Sequence, residues 1–191
     1  AMQVIERDKV RLLALVPTMY FFMLNEADNC KYDLSSITHA VSGGAALPEE
    51  VHRRFHERFG ITILEGYGLS ETSPVATFSQ AGDKLKVGSI GKAIWGVDVA
   101  IKKDDGTFAA VDEVGEVVIR GHNIMKGYYN RPEATREAIV NGWFHTGDMG
   151  RVDAEGFYYI VDRKKDLIIR GGMNIYPREI EEVLYGHPKV L

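Results

Sequence analysis

The sequence predicts a fold of the α/β plus β class: part of a parallel βαβ sheet, then a small β-barrel-like subdomain, then the start of an α+β domain. Three apolar runs in the first third alternate with helical stretches, and strands separated by helices pair in parallel. From about residue 86, short β segments with turn signals replace this alternation. A glycine pair and an amphipathic helix close the chain. The predicted boundaries are 1–85, 86–164 and 165–191.

The first subdomain is predicted from three strands and the helices between them. The strands are "LLALV" (12–16), "ITHAV" (37–41) and "ITIL" (61–64). "TMYFFMLN" (18–25) fits a short helix, and a second helix is expected between Pro48 and Gly60. "VP", "SGGA" and "EGYG" follow the three strands, so they are expected at the sheet edge where open parallel sheets bind ligands.

The β-rich part is predicted from "VGSIGKAI", "VDVAIKKDDGTFAAV" and "GEVVIRG", in which "DDG" is a turn signal. "RPEATREAIV" (131–140) is predicted to be helical, "GWFHTGDMG" a loop, and "RVDAEGFYYIVDR" two strands joined by "DAEG". Ile180, Val183 and Leu184 then share one face of the last helix. Because the chain opens in an apparent βαβ helix and stops where a new strand is expected, it is interpreted as a fragment of a longer enzyme.

Composition excludes several classes of protein. The net charge of −4 gives no reason to expect a nucleic-acid surface. Cys30 is the single cysteine, so no intrachain disulfide can form, and a reducing, cytoplasmic location is expected. No apolar run approaches the roughly 18 residues that span a bilayer, so no integral membrane segment is predicted.

Several short segments resemble known functional motifs but lack residues that those motifs require. "GSIGKA" lacks the spacing and the Ser/Thr of a phosphate loop, and "GYGLSE" lacks the third glycine of a dinucleotide fingerprint. "GLSET" misses the serine-hydrolase elbow because Thr72 stands where the last glycine belongs. His52 and His56 are four residues apart, like a metal-binding pair, but a solvated helix face is the favoured interpretation.

Two segments carry polar groups that suit a nucleotide. In "GYGLSET", Tyr67 offers a flat stacking surface, and Gly66 and Gly68 leave backbone amides accessible. Ser70 can bond a phosphate oxygen, and Glu71 can hold a divalent cation. "SGGAAL" (42–47) by itself could be only a tight strand-to-helix turn.

Two later segments supply further candidate nucleotide-binding residues. Asp148 in "GWFHTGDMG" could chelate vicinal hydroxyls, and Arg163 in "YYIVDRKKD" stands at a strand end, ready for a sugar or phosphate. An aromatic ring, a hydroxyl, two carboxylates and a guanidinium suit a nucleotide with its metal better than an acyl-transfer triad.

The order and spacing of the long motifs point to one family. "GYGLSETSP", "GEVVIRGHNIMKGYYNRPEAT", "GWFHTGDMG" and "GFYYIVDRKKDLIIRGGMNIYPREIEEVL" resemble the adenylate-forming superfamily from about residue 10 to the end. That superfamily contains acyl-CoA synthetases, aryl-CoA ligases, luciferases and the adenylation domains of peptide synthetases. Within the superfamily, the motif sequences are most similar to those of fatty-acyl-CoA ligases.

The resemblance implies roles for individual residues. Tyr67 matches the ring that lies against adenine, with Gly44 and Gly66 nearby. Ser70 matches a position usually held by threonine, whose hydroxyl meets the α-phosphate, and Glu71 matches the magnesium-associated carboxylate. Gly43 and Gly68, from the same glycine motifs, are included in the predicted nucleotide-binding set.

Further matches lie in the second half. Asp148 matches the ribose-binding aspartate, and Arg163 its partner at the sugar. Ile160 matches a residue packed under the base. Lys165 matches the hinge between a large and a small domain. Gly171 and Gly172 match the loop that borders the pantetheine tunnel.

The implied reaction joins a carboxylic acid, most simply a fatty acid, to coenzyme A through an acyl-AMP, with ATP and Mg²⁺. The family's phosphate loop and catalytic lysine are not in this sequence, so the isolated chain is expected to be inactive. An aryl- or coumarate-CoA ligase, or another adenylation domain of the superfamily, would share the same motifs. A serine hydrolase acting through Ser70, or a non-catalytic binding module, are alternatives of other classes. Self-association through the exposed last helix is also expected to be possible.

Overall fold

A computed structural model describes residues 1–27, 32–80, 82, 84–171, 173–187 and 189–190. Cys30 and Gly172 therefore lie outside the described residues. No helix in the described ranges has both the length and the apolar character needed to cross a membrane.

The first part is a sheet with helices. Its helices are α1 (Met2–Asp8), α2 (Pro17–Ala27) and α3 (Glu49–Phe59), and its strands are β1 (Leu12–Leu15), β2 (His39–Ser42), β3 (Ile63–Tyr67), β4 (Thr77–Phe78) and β5 (Lys92–Ala93). The strand order is β1-β2-β3-β4-β5. β1, β2 and β3 pair in parallel, as predicted, whereas β4 and β5 pair antiparallel.

Helix α3 forms where the sequence predicts it. Pro48 is its N-cap, Glu49 and Glu50 occupy its first turn, and Gly60 ends it in the left-handed conformation. Phe55 is fully buried and meets the edge of the Tyr20 ring at a centroid distance of 5.1 Å. This contact joins α2 to α3 over the parallel strands.

The second part is antiparallel. It contains β6 (Val97–Lys102), β7 (Gly115–Gly121), α4 (Pro132–Ala138), β8 (Ile139–Val140), β9 (Trp143–Val152) and β10 (Tyr158–Arg163). The strand order is β10-β9-β7-β6, with β8 paired to β9. A separate apolar cluster, which includes Val97, Val99, Ile101, Val117 and Ile119, supports this sheet. Closure of this sheet into a barrel stays a prediction.

The last part is a hairpin and a helix. Strands β11 (Ile168–Arg170) and β12 (Met173–Ile175) pair antiparallel, and α5 (Pro177–Tyr185) follows. The hairpin was not predicted, since the sequence indicated only a glycine pair before a helix.

Several details of the predictions were wrong. The predicted helix over 131–140 ends at Ala138, and Ile139–Val140 is strand β8, because it pairs with β9. β3 begins two residues later than "ITIL" and continues through Tyr67, because Gly66 and Tyr67 pair with β4. "GWFHTGDMG" is strand β9 rather than a loop. Within "VGSIGKAI" only Lys92–Ala93 is a strand, and it extends the first sheet. His52 is buried, and its Nε2 lies 3.2 Å from the Ile63 carbonyl oxygen, so it does not lie on a solvated face.

Candidate functional site

A cleft of about 330 Å³ opens where the parallel strands meet the antiparallel sheet. It brings together seven of the residues predicted to bind a nucleotide: Gly44, Gly66, Tyr67, Gly68, Asp148, Ile160 and Arg163. The segments that follow β2 and β3 both border it, as expected for the carboxyl edge of parallel strands. The "VP" segment borders a different, adjoining cavity of about 390 Å³ that shares Ala45 and Ala46 with the cleft.

Two of the glycines along the cleft, Gly66 and Gly68, are required by close packing. A Cβ atom on Gly68 would lie 1.8 Å from the carbonyl oxygen of Pro74, and one on Gly66 would lie 2.6 Å from the Phe78 ring. A Cβ atom on Gly43 would lie 3.2 Å from the Gly66 carbonyl oxygen. Gly43 is not among the residues lining the cleft, so its observed role is to bring the β2 and β3 ends together.

Tyr67 and Asp148 form a hydrogen bond that joins the two sheets. The Tyr67 hydroxyl donates to Asp148 Oδ2 at 2.6 Å, although the residues are 81 positions apart in sequence. Asp148 is only 7% exposed. Burial, and then the Asp148 charge, raise the pKa of the Tyr67 hydroxyl, so this hydroxyl stays protonated and can act as the donor.

Asp148 also faces a guanidinium. It pairs with Arg163 across β9 and β10, and Arg163 Nε lies 3.5 Å from Asp148 Oδ1. The Arg163 side chain is exposed, so this ion pair is worth little to stability by itself. The arrangement leaves a carboxylate and an exposed cation at one wall of the cleft.

The backbone before Asp148 is held in place by Thr146. Gly147 has a φ of +73°, which a residue with a side chain rarely adopts. The Thr146 hydroxyl donates to the Val117 carbonyl at 2.7 Å and accepts from the Asp148 amide at 3.0 Å. Asp148 is therefore positioned by a kink in a strand rather than by the glycine-rich loop that was predicted.

Ser70 and Glu71 lie in a single 3₁₀ turn (Ser70–Thr72) after β3, and neither lines the cleft. Thr72 stabilises this turn, because its hydroxyl accepts from the Leu69 amide at 2.8 Å and lies 3.0 Å from the Pro74 carbonyl. The Tyr128 hydroxyl donates to Glu71 Oε1 at 2.9 Å.

A metal ion held by protein groups alone does not fit the turn. Within the described residues, no three His, Cys, Asp or Glu side chains are grouped to hold one. Mg²⁺ bound to a nucleotide commonly takes one or two carboxylates, with phosphate oxygens and water as its other ligands. Glu71 fits that mode as a single carboxylate.

Four charged residues that line the cleft were not predicted from the sequence: Glu65, Asp162, Arg178 and Glu181. Glu65 is 6% exposed, and burial raises the pKa of its carboxyl to about 7, while Arg178 and the amides of Leu47 and Gly88 oppose the rise. A glutamate directly after the apolar run "ITIL" was the available signal.

Arg178 had no local signal, because it reaches the cleft from α5. Its guanidinium donates to the Ile160 carbonyl at 2.6 Å, and its amide lies 3.3 Å from Asp162 Oδ2. These contacts place the start of α5 beside the proposed base-binding residue Ile160.

The remaining predicted residues lie apart from the cleft. Lys165 is exposed in the turn that follows β10. Gly171 is at the tip of the β11–β12 hairpin, with a φ of +61°. Their roles, and that of Gly172, stay predictions.

A serine hydrolase is not supported. Ser70 is exposed, and each of the six histidines in the described ranges hydrogen bonds to a group other than Ser70. A catalytic serine needs a base within hydrogen-bond reach.

Comparison with known proteins identifies relatives along nearly the whole chain. The chain is 47% identical over 190 residues to a long-chain-fatty-acid–CoA ligase of Bacillus subtilis, covering 99% of this chain and 34% of that protein. It is 42% identical over 187 residues to a feruloyl-CoA synthase of Amycolatopsis sp, covering 97% of this chain and 38% of that protein. The chain therefore spans a little over a third of the length of these relatives.

A solved structure shows the same fold. The anthranilate CoA ligase AuaEII in complex with anthranoyl-AMP superposes with a TM-score of 0.92 at 31% identity, covering 98% of this chain and 36% of that chain. The family of proteins described as AMP-binding enzyme matches residues 1–129, and the chain belongs to it.

Proposed function

We propose that this chain is the nucleotide-binding segment of a longer ATP-dependent acid–CoA ligase. Such an enzyme adenylates a carboxylic acid to an acyl-AMP and then transfers the acyl group to coenzyme A. The observation that carries the proposal is the convergence of Tyr67, Asp148, Ile160 and Arg163 on one glycine-edged cleft. The names of the relatives, two CoA ligases of different acids, support the reaction class.

Different residues of the cleft bind the base and the ribose of an adenosine. Tyr67 and Ile160 take the two sides of the base. The Asp148 carboxylate accepts hydrogen bonds from the ribose hydroxyls, and the Arg163 guanidinium lies at the same sugar. Gly44, Gly66 and Gly68 leave this wall of the cleft without side chains, so the ligand can lie close to the backbone. Protein packing at Gly66 and Gly68, and the positive φ at Gly44, disfavour any side chain at these positions.

The 3₁₀ turn is proposed to serve the phosphate end. Ser70 donates its hydroxyl to the α-phosphate, and Glu71 is one ligand of Mg²⁺. The ion supplies neutralisation of phosphate charge when it is bound. Tyr128 orients Glu71 through the hydrogen bond to Oε1.

Activation of the acid follows from leaving-group chemistry. A carboxylate oxygen leaves poorly from an acyl carbon, whereas AMP leaves well, so forming acyl-AMP makes the later attack by a thiol favourable. The protein contributes mainly positioning and charge stabilisation around the phosphorus. Lys165 is proposed as the pivot between the two half-reactions, and the Gly171–Gly172 loop as the border of the pantetheine path.

We propose a fatty acid as the substrate, supported by the identity of 47% to a long-chain-fatty-acid–CoA ligase. An aryl acid is the second candidate, because the feruloyl-CoA synthase is 42% identical. The two candidate substrates are distinguished by measuring pyrophosphate release from the longer enzyme with each acid in turn. Preference for palmitate over ferulate is expected, and the reverse preference would assign the enzyme to aryl acids.

Nucleotide binding can be tested on the chain itself. We expect AMP to bind and to shift the amide resonances of residues 66–68, 148 and 160–163 in NMR spectra. GMP and inorganic phosphate are the matched controls for the base and the phosphate. AMP binding no tighter than that of inorganic phosphate would contradict an adenosine site.

A further inference from the structure

A partly buried carboxylate on β7 contacts the backbone that leads into Asp148. Glu116 lies on β7, and its side chain is 15% exposed. Its Oε1 accepts the Gly147 amide at 3.1 Å, and its Oε2 lies 3.1 Å from His145 Nδ1. A single carboxylate therefore contacts both residues that flank Thr146.

Gly147 is the residue whose conformation sets the direction of Asp148. It immediately precedes Asp148 and holds a positive φ, so rotation of its peptide planes would turn the carboxylate away from the cleft. At this kink the pairing of β7 with β9 shifts register. Such bulges re-aim a side chain at the cost of unpaired backbone groups, which then need other partners.

The structure provides these partners on both sides of Gly147. Its amide donates to Glu116, and its carbonyl accepts from the Lys164 amide at 2.9 Å. The Lys164 ammonium in turn lies 3.0 Å from Asp104 Oδ1 and 3.8 Å from Glu116 Oε2. Of this group, Glu116 is the residue whose side chain bonds to Gly147, whereas Lys164 bonds to it through the backbone.

We propose that Glu116 is a positioning residue for ribose recognition, which acts by holding the Gly147 kink that directs Asp148 into the cleft. The inference rests on the proposed function, because the ribose is the group that Asp148 is proposed to bind. Glu116 itself touches no ligand. Its removal should therefore affect the discrimination of the sugar rather than the contact with the base.

The test uses the 191-residue chain with three substitutions at one position. Glu116→Ala removes the acceptor, Glu116→Asp keeps the charge but withdraws it by one methylene, and Glu116→Gln keeps an acceptor oxygen at the original reach. Asp98→Ala is the matched control, because it removes a carboxylate from the adjacent strand β6, where the partner is an exposed Arg120. Circular dichroism verifies that each variant is folded.

Two quantities are measured: hydrogen exchange of the Gly147 amide, and dissociation constants for AMP, 2′-deoxyAMP and 3′-deoxyAMP. In E116A and E116D we expect exchange to quicken by about tenfold or more, as for a lost charge-assisted hydrogen bond. The preference for AMP over the deoxy nucleotides should shrink to within about threefold, which is a loss of most of one such bond. E116Q and D98A should stay close to the unmodified chain.

Unchanged Gly147 exchange and unchanged sugar preference in E116A and E116D would overturn the proposal. Equal losses in E116Q and E116A would also overturn it, because the acceptor would then not be what matters. Failure of the unmodified chain to bind AMP would count against the proposed function instead. In that case the exchange of Gly147 still decides whether Glu116 holds the kink.

Discussion

Glu65 places an ionisable group inside the wall of the cleft. Burial raises the pKa of its carboxyl from an unfolded value near 4.5 to about 7. Below the unfolded pKa the group is protonated in both states and has no effect on stability. As the pH rises towards 7, the unfolded chain releases this proton first, so the folded state loses stability relative to the unfolded state.

Replacing Glu65 should therefore stabilise the protein at neutral to alkaline pH. A pKa of about 7 in the folded state, against 4.5 in the unfolded state, corresponds to about 3 kcal/mol at pH 8. Glu65→Gln is expected to gain up to that free energy of unfolding at pH 8 and little at pH 4.5. Urea unfolding at both pH values measures it. The exposed Glu133→Gln on α4 is the control; a pH dependence in E65Q identical to that of the unmodified chain would refute the assignment.

At the scale of elements, α5 is attached by one side only. Glu182 Oε2 lies 3.3 Å from the Glu49 amide, and Arg178 contacts Ile160 and Asp162. On the rest of the helix and on the hairpin before it, Ile169 and Val183 are 70% and 76% exposed. Large apolar side chains left exposed in this way favour contact with another protein surface.

We predict that the chain self-associates through this face at high concentration. Sedimentation velocity over a range of concentrations should show a shift from monomer to dimer. Val183→Asp should abolish the shift, because a charge would be buried in the contact. Val111→Asp is the control, since Val111 is also exposed but lies in the turn that precedes β7, in the second part of the chain. A monomer at all concentrations, or equal effects of the two substitutions, would contradict this contact.

The turn after β10 is the element that we propose as the pivot. Asp166 donates its amide to the Arg163 carbonyl and Lys164 donates to Gly147, whereas no backbone bond from the Lys165 amide is seen in the described part of the chain. Among the described residues, proline at position 165 therefore removes no backbone donor that is in use, while it fixes φ at about −65°.

In the longer enzyme, Lys165→Pro should separate the two half-reactions. Adenylation, measured as pyrophosphate release, is expected to persist. Thioester formation should fall by about tenfold or more, because the pivot is stiffened. Lys164→Pro is the contrasting variant, because it removes the bond to Gly147. Equal loss of both steps in K165P would indicate general damage and would remove Lys165 from the mechanism.

Elements with a regular hydrophobic pattern were predictable, and those set by distant contacts were not. Helix α3 follows from the spacing of Val51 and Phe55 and from Gly60. The extension of β3 through Tyr67 depends on β4, which is ten residues further along the chain. The β9 strand was mistaken for a loop, because glycines that usually break strands here permit close packing and a kink.

In the candidate site, too, residues in local motifs were predictable, whereas contacts between distant residues were not. Tyr67, Asp148 and Arg163 were assigned from motifs, and the structure brings them together. The bond between Tyr67 and Asp148 spans 81 residues, and the contact of Arg178 with Ile160 comes from α5. Neither interaction leaves a local pattern in the sequence.

At the scale of the whole molecule, the cleft has few positive charges for a triphosphate. Among the described residues that line it, only Arg163 and Arg178 are cationic, and Arg178 is already bound to the Ile160 carbonyl. We therefore predict that this chain alone makes no acyl-AMP. Stabilisation of developing charge is commonly the largest catalytic contribution, and it would be largely missing.

Pyrophosphate release with ATP, Mg²⁺ and a panel of fatty acids measures this. No turnover above that of a denatured control is expected, even where AMP binds. Turnover comparable to that of the full-length Bacillus subtilis ligase would show that the chain is a complete catalyst.

The measurement that tests the central claim most directly is the energetic coupling between Asp148 and the ribose hydroxyls. Dissociation constants for AMP, 2′-deoxyAMP and 3′-deoxyAMP are compared in the unmodified chain and in Asp148→Ala. A hydrogen bond to a charged group is worth about 1.5–3 kcal/mol, so D148A should weaken AMP binding by roughly ten- to a hundredfold.

Tyr67→Phe is the control, because it removes the bond to Asp148 but keeps the ring and the carboxylate. In D148A the penalty for removing a ribose hydroxyl should nearly vanish, whereas in Y67F most of it should remain, because contacts that share a partner are not additive. Penalties for the deoxy nucleotides that are the same in D148A and in the unmodified chain would show that Asp148 does not bind the ribose.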